Sequence, residues 1–111
     1  MRFVLLFRAE SEPEEPPSVE DLAVLARYRG TLDDAGVLVT SGWLQPTSTG
    51  ALVDFSGPDR TIIDGPFEDL DPCVAGFWVL RCATFDEALD WAQRAPLASG
   101  RIEVRQVEGE D

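Results

Sequence analysis

The apolar positions of this chain change period along its length. Phe3-Val4-Leu5-Leu6-Phe7 is an unbroken apolar run, and at the two-residue period of a strand Phe3, Leu5 and Phe7 share one face while Val4 and Leu6 share the other. Apolar residues on both faces predict a strand covered from both sides. Helices of so short a chain can cover one face, and a partner subunit is expected over the other. From Ser18 the period lengthens. Leu22, Leu25, Leu32 and Ala35 mark one stripe of a helix, with Tyr28 or Arg29 filling the gap. Ser18 is a good N-cap with Asp21 three residues on, and Gly36 supplies a left-handed stop. Gly30 inside this helix costs roughly 1 kcal/mol against Ala.

Val37 to Leu44 reads as a second strand, and the Ser41-Gly42 step within it signals a bulge or a close backbone approach. After a turn over Pro46 to Gly50 come two short strands, Ala51–Phe55 and Thr61–Ile63, joined by Ser56-Gly57-Pro58-Asp59. They are near enough in sequence for antiparallel hairpins. Asp64-Gly65-Pro66 is strong punctuation, because Pro fixes its own φ and restricts the residue before it. Val74 to Cys82 is the next main strand. Thr84 with Glu87 opens a second helix, whose face is Phe85, Ala88, Leu89, Ala92 and Ala95, flanked by Trp91. Pro96 and Gly100 end it, and Ile102 to Val107 is the last strand. With the short strands set aside, the order is β-α-β-β-α-β. That predicts an α+β, ferredoxin-like fold: an antiparallel sheet with two helices on one face.

A chain of 111 residues suits one domain, 1–111, with an acidic, proline-rich loop over 10–17 and a solvated tail over 108–111. The net charge of −12 repels phosphate backbones and anionic membranes, so neither nucleic acid nor membrane is expected as a partner. With no histidine and no CxxC pair, a structural zinc site is not expected, and no cofactor motif is present. The apolar run before Arg8 is too short for a signal-peptide core or a membrane span. A cytoplasmic protein with reduced Cys73 and Cys82 is the expectation.

Several residues could carry chemistry. Asp64 is either a general base at the mouth of a cleft or an Asx residue bonded to its own turn. Glu103 and Arg105 alternate with Ile102 and Val104, which places both charges on the sheet face opposite the helices. There Arg105 either clamps a carboxylate with its planar fork or joins an ion pair, and Glu103 is a second candidate base. Tyr28, Trp43 and Trp78 either line an aromatic pocket or fill the core, and Phe67 joins the candidate ligand-binding set. Trp78 is out of phase with Phe77 and Val79 and should face away from them. Glu68, Asp69 and Asp71 read as a solvated acidic loop, not as a metal site.

These pieces resemble the YCII-related family, in its DGPF-domain branch. The resemblance rests on Met1-Arg2-Phe3, Tyr28, Ala35-Gly36-Val37-Leu38, Phe55-Ser56-Gly57, Asp64-Gly65-Pro66-Phe67, Gly76-Phe77-Trp78, Glu87-Ala88, Trp91-Ala92, Pro96 and Glu103-Val104-Arg105-Gln106-Val107. It implies a homodimeric α+β barrel in which two sheets pack face to face, with a pocket near the interface. It implies that some relatives act on small cyclic or phenolic compounds, and that others sit beside transcription factors of the sigma type. The His-Asp pair of the founding branch cannot exist here, and Asp69-Leu70-Asp71-Pro72 stands where relatives carry a lysine. The expected function is a small-ligand-binding homodimer with an accessory or regulatory role. An isomerase-, lyase- or oxygenase-like enzyme using a carboxylate base, and a protein-interaction module, are the alternatives.

Overall fold

The computed structural model describes residues 1–11, 17–66 and 73–109. Phe67, the acidic loop 68–72, most of the 10–17 loop and residues 110–111 lie outside the described residues. In chain order the elements are β1 (Arg2–Ala9), α1 (Val19–Asp34), β2 (Leu38–Trp43), β3 (Ala51–Asp54), β4 (Thr61–Asp64), β5 (Cys73–Arg81), α2 (Phe85–Gln93) and β6 (Arg101–Gln106). A 3-10 turn over Thr47–Thr49 leads into β3. The main sheet is antiparallel with strand order β2-β5-β1-β6, and β3 pairs with β4 in a separate two-stranded arm. This is the expected ferredoxin-like arrangement.

β1 is central. It pairs with β5 in the register Phe3↔Leu80, Leu5↔Trp78, Phe7↔Gly76, and with β6 in the register Leu5↔Val104, Phe7↔Ile102. Residues directly opposite share a face, so these side chains all turn toward the helices. Phe3, Leu5, Leu80 and Trp78 are buried there together with Tyr28, Leu32, Val37, Cys82 and Ala88. Full burial of Phe3 or Leu32 contributes roughly 1.5–3 kcal/mol each. The opposite face carries Val4, Leu6, Phe77 and Val79, and neither helix covers it.

The caps form as the sequence predicts. The Ser18 hydroxyl accepts from the Asp21 amide, the Asp21 carboxylate accepts from the Ser18 amide, and Gly36 adopts φ 76°. At α2 the Thr84 hydroxyl accepts from Glu87, while the Glu87 carboxylate accepts from the Ala83 amide, one residue earlier than a reciprocal box requires. The predicted helical stripes are wider than the real ones. Tyr28 and Leu32 are buried, but Leu22 in the first turn of α1 and Phe85 at the start of α2 are exposed, because burial concentrates in the middle and last turns. The bulge in β2 falls at Leu38/Thr40 and not at Gly42. Gly42 instead marks a close approach: a Cβ there would lie 2.9 Å from the Phe77 ring. A Cβ at Gly30 would meet nothing, so that glycine serves no packing contact.

The β3–β4 arm is exposed on both sides. Its register, Leu52↔Ile63 and Val53↔Ile62, puts one apolar pair on each face of the ribbon, and all four residues are open to solvent, as is Phe55. At its base the Gly65 amide donates to the Gly50 carbonyl, and the Thr47 carbonyl packs so close to Gly65 that no side chain fits.

Tyr28 ties the two helices together: its hydroxyl donates to the Trp91 carbonyl at 2.6 Å, and burial pushes its pKa up to about 12. A raised folded-state value means stability is complete below the ordinary value of about 10 and declines as pH rises from there through about 12. This is the chain's only tyrosine and there is no lysine, so the alkaline limb has one tyrosinate source. Urea midpoints should fall across that window in the wild type. Tyr28→Phe should lower stability at neutral pH by about 1 kcal/mol and reduce the alkaline decline, leaving the part due to the buried Cys82 thiol, whose pKa is also raised.

Candidate functional site

The hollow that best fits a ligand lies on the helix side, at the end of the sheet where β1 finishes and β2 ends. Its floor follows from one missing side chain. Gly76 on β5 stands between Phe7 on β1 and Trp43 on β2, in register with both. A Cβ at Gly76 would clash with the Trp43 ring, so only glycine lets the indole lie across β5. The Phe7 and Trp43 rings then meet over it, stacked with centroids 5.6 Å apart and planes at 14°. Gly100, at φ 88°, gives the Phe7 ring the same clearance from the far side. Leu25 and Val24 of α1, together with Leu97 and Pro96 after α2, build the walls. The cavity measures about 620 Å³, within the range of small-molecule sites.

Its polar groups are Glu10, Ser11, Asp21 and Ser99. Both charged members are acids, and Asp21 is engaged at the N-cap of α1. Such a rim accepts hydrogen bonds from hydroxyl or amine donors and repels anions. A second hollow of about 330 Å³ lies between α2 and β6, lined by Leu89, Ala92, Leu97, Ile102 and Val104 among others.

The residues singled out in the sequence divide into three places. Tyr28, Trp78 and Trp43 form one aromatic chain, with Tyr28 edge-on to Trp78 at 5.5 Å and Trp78 at 5.9 Å from Trp43. Of the three, Trp43 lines the hollow; Trp78 and Tyr28 are buried behind it, and the Tyr28 hydroxyl is already used by Trp91. Glu103 and Arg105 lie on the other face of the sheet. There Arg8 donates to Glu103 at 2.7 Å and Arg105 approaches the same carboxylate at 3.6 Å. Asp64 ends β4 at the base of the arm, exposed, and Phe67 is outside the described residues. Neither Asp64 nor Glu103 lines the hollow. Glu10, Gly76 and Leu97 escaped the sequence reading. Gly76 had one legible signal, a glycine in an apolar strand flanked by aromatic-rich strands.

Among the described residues no group of three or more histidines, cysteines or carboxylates could hold a metal ion, and no helix is long and apolar enough to cross a membrane. Cys82 is a free, buried thiol whose pKa is raised by burial and by the nearby Glu87, so it is held in its unreactive form.

The family description "YCII-related domain" matches residues 1–110. An uncharacterized protein of Rhizobium meliloti (strain 1021) is 33% identical over 100 residues, which cover 87% of this chain and 78% of that protein. Among solved structures, the chain is similar to a 5-chloro-2-hydroxyhydroquinone dehydrochlorinase from Burkholderia phenoliruptrix AC1100, in complex with 2,5-dihydroxybenzoquinone. The TM-score is 0.50 at 17% identity, over 98% of this chain and 96% of that one. At that identity the likeness speaks for the fold alone.

The floor gives a direct test. Gly76→Ala should displace the Trp43 indole, lower stability by roughly 1–3 kcal/mol and remove the near-ultraviolet circular dichroism of the stacked rings. Unchanged near-ultraviolet spectra would mean that the stack does not depend on the glycine.

Proposed function

The chain belongs to the YCII-related family, and from that premise we propose that it is a homodimeric binding protein for a small, flat, neutral ring compound bearing hydroxyl groups. The observation that carries this reading is the Phe7–Trp43 stack, an aromatic floor in a hollow of about 620 Å³. Trp43 keeps 37% of its surface exposed, so its ring is available for a ligand to stack upon. Glu10 and Asp21 at the rim suit phenolic or catecholic hydroxyls, which donate hydrogen bonds, better than carboxylates, which would be repelled. The dihydroxybenzoquinone held by the structural neighbour is a ring of this size.

The homodimer is supported by surface that one chain leaves bare. Val4, Leu6, Phe77 and Val79, each half-buried, form an apolar band on the open sheet face, and the arm exposes Leu52, Val53, Ile62 and Ile63. The accessible surface is 7922 Å², whereas a monomeric protein of this mass exposes about 6,100 Å². The radius of gyration, 15.6 Å, likewise exceeds the ~13 Å of a compact chain of this length.

Catalysis is the second reading, and one observation bears on it. The carboxylate that lines the hollow without another described partner is Glu10, so a general base acting on a ring bound there is Glu10 and not Asp64 or Glu103. A sigma-type transcription factor as partner stays a proposal from the family resemblance.

Titration with phenol, catechol and hydroxyquinone probes, read by tryptophan fluorescence, tests the site. Saturable quenching is expected, weakened roughly five- to 150-fold in Trp43→Ala, since stacking on an aromatic side chain contributes about 1–3 kcal/mol. Glu10→Gln should leave binding of a ring in place and abolish any turnover. Equal quenching in Trp43→Ala would overturn the site. Light scattering at micromolar concentration should return twice the chain mass of 12.2 kDa, and a monomer would refute the dimer.

A further inference from the structure

Nine arginines supply all the positive side chains of a protein with net charge −12. Five of them, Arg2, Arg8, Arg81, Arg101 and Arg105, alternate with the buried residues of β1, β5 and β6 and therefore project from the open sheet face. Glu103 is the one acid among the strand residues of that face. The register sharpens the imbalance. Arg2 stands directly opposite Arg81, and Arg8 directly opposite Arg101. Like charges directly opposite on neighbouring strands are destabilising.

Glu103 relieves one of these pairs, since it accepts from Arg8 at 2.7 Å and draws Arg105 to 3.6 Å. Among the described residues nothing relieves the other. Among the described residues no carboxylate is within ion-pairing distance of Arg2 or Arg81. The Arg2 Nε is buried and has no hydrogen-bond partner, a state that costs free energy unless something supplies an acceptor. Arg105 opposes Val4 and so lies diagonal to Arg2, within reach of a long side chain. Its own side chain is 71% exposed and only loosely held by Glu103.

We propose that Arg2, Arg81 and Arg105 form a binding site for a small oxyanion carrying two or more negative charges, a phosphate group or a dicarboxylate. Each guanidinium presents a planar fork of donors that matches the oxygens of such an anion, and guanidinium sheds its hydration more readily than an ammonium does. Three forks on three neighbouring strands favour an ion with several oxygens over a single carboxylate. The anion would remove the repulsion between Arg2 and Arg81 and give the buried Nε its acceptor. The site is separate from the aromatic hollow: it lies on the other face of the sheet, and its charge is of opposite sign to the Glu10–Asp21 rim. Arg2 begins β1 and Arg81 ends β5, so the site stands at one end of the face that the proposed homodimer covers, at the rim of that interface, and it does not depend on what the hollow binds.

Calorimetric titration and thermal unfolding with inorganic phosphate and with malonate, against acetate and chloride at matched ionic strength, test the proposal. Phosphate, malonate or both should bind and raise Tm by several degrees beyond the monovalent controls. A response to one of the two supports the site and identifies its headgroup. Arg81→Gln and Arg105→Gln should each weaken binding roughly tenfold, Arg81→Lys by less, and Arg27→Gln on α1 not at all. These variants keep the test open if Arg2→Gln, whose Nε is buried, fails to fold. Trp43→Ala should leave the anion response intact, which separates this site from the hollow. Equal shifts from all four anions would overturn the site, as would a response unchanged in Arg81→Gln. A response seen only when Asp54, Asp59 and Asp64 are replaced by Asn would also overturn it, because the arginines would then be neutralised by the arm of a second copy.

Discussion

β1 is hydrogen-bonded on both sides, and its two-residue alternation decides what every other element faces. Phe3, Leu5 and Phe7 turn toward the helices and gather Leu80, Trp78, Ile102 and Val104 in register, while Arg2, Val4, Leu6 and Arg8 turn the other way. A slip of one residue would exchange the two sets and put arginines under the helices. The register is held partly by two glycines on facing strands. Trp43 lies across Gly76 on one face of the sheet, and Phe77 lies across Gly42 on the other. Each aromatic ring fills the space its opposite residue leaves vacant, so the β2–β5 pairing has one alignment that packs on both sides.

The sheet consequently separates charge. On the helix side its end is rimmed by Glu10 and Asp21; on the open side it carries five arginines and one glutamate. A net charge of −12 describes neither surface. The two faces therefore present different chemistry: carboxylates and an aromatic floor on one, guanidinium groups on the other.

The fold was legible because its information is local. Period-two runs, a period of 3.6 with Ser18 and Thr84 at the caps, and Gly36 at a positive φ each mark an element within a few residues. The opposite orientation of Glu103 and Arg105 to the core followed from the same alternation. The hollow was not legible, because Phe7, Glu10, Leu25, Trp43 and Leu97 come from segments far apart in sequence and meet only when the ends of β1, β2 and α2 are brought to one corner. Aromatic residues announced themselves, but their sequence does not say that Trp43 is half open while Trp78 is sealed. The overextended helical stripes have a similar cause. Leu22 and Phe85 obey the helical period, but periodicity does not reveal where the supporting layer stops.

The arm formed by β3 and β4 is a ribbon of two strands with no third strand on either side among the described elements, so each long edge offers unpaired amide and carbonyl groups. Beside those edges lie Leu52, Val53, Ile62 and Ile63, the composition that promotes edge-to-edge growth into larger sheets. The ribbon is short, each strand ends in or beside an aspartate, Arg60 is folded over the Phe55 ring, and Gly57-Pro58 occupies the turn. Charge at the strand ends and proline at the tip are devices that keep an apolar ribbon from recruiting copies of itself indefinitely. The charged residues that frame the arm are thus its built-in brake on self-pairing, and replacing them with neutral ones removes that brake.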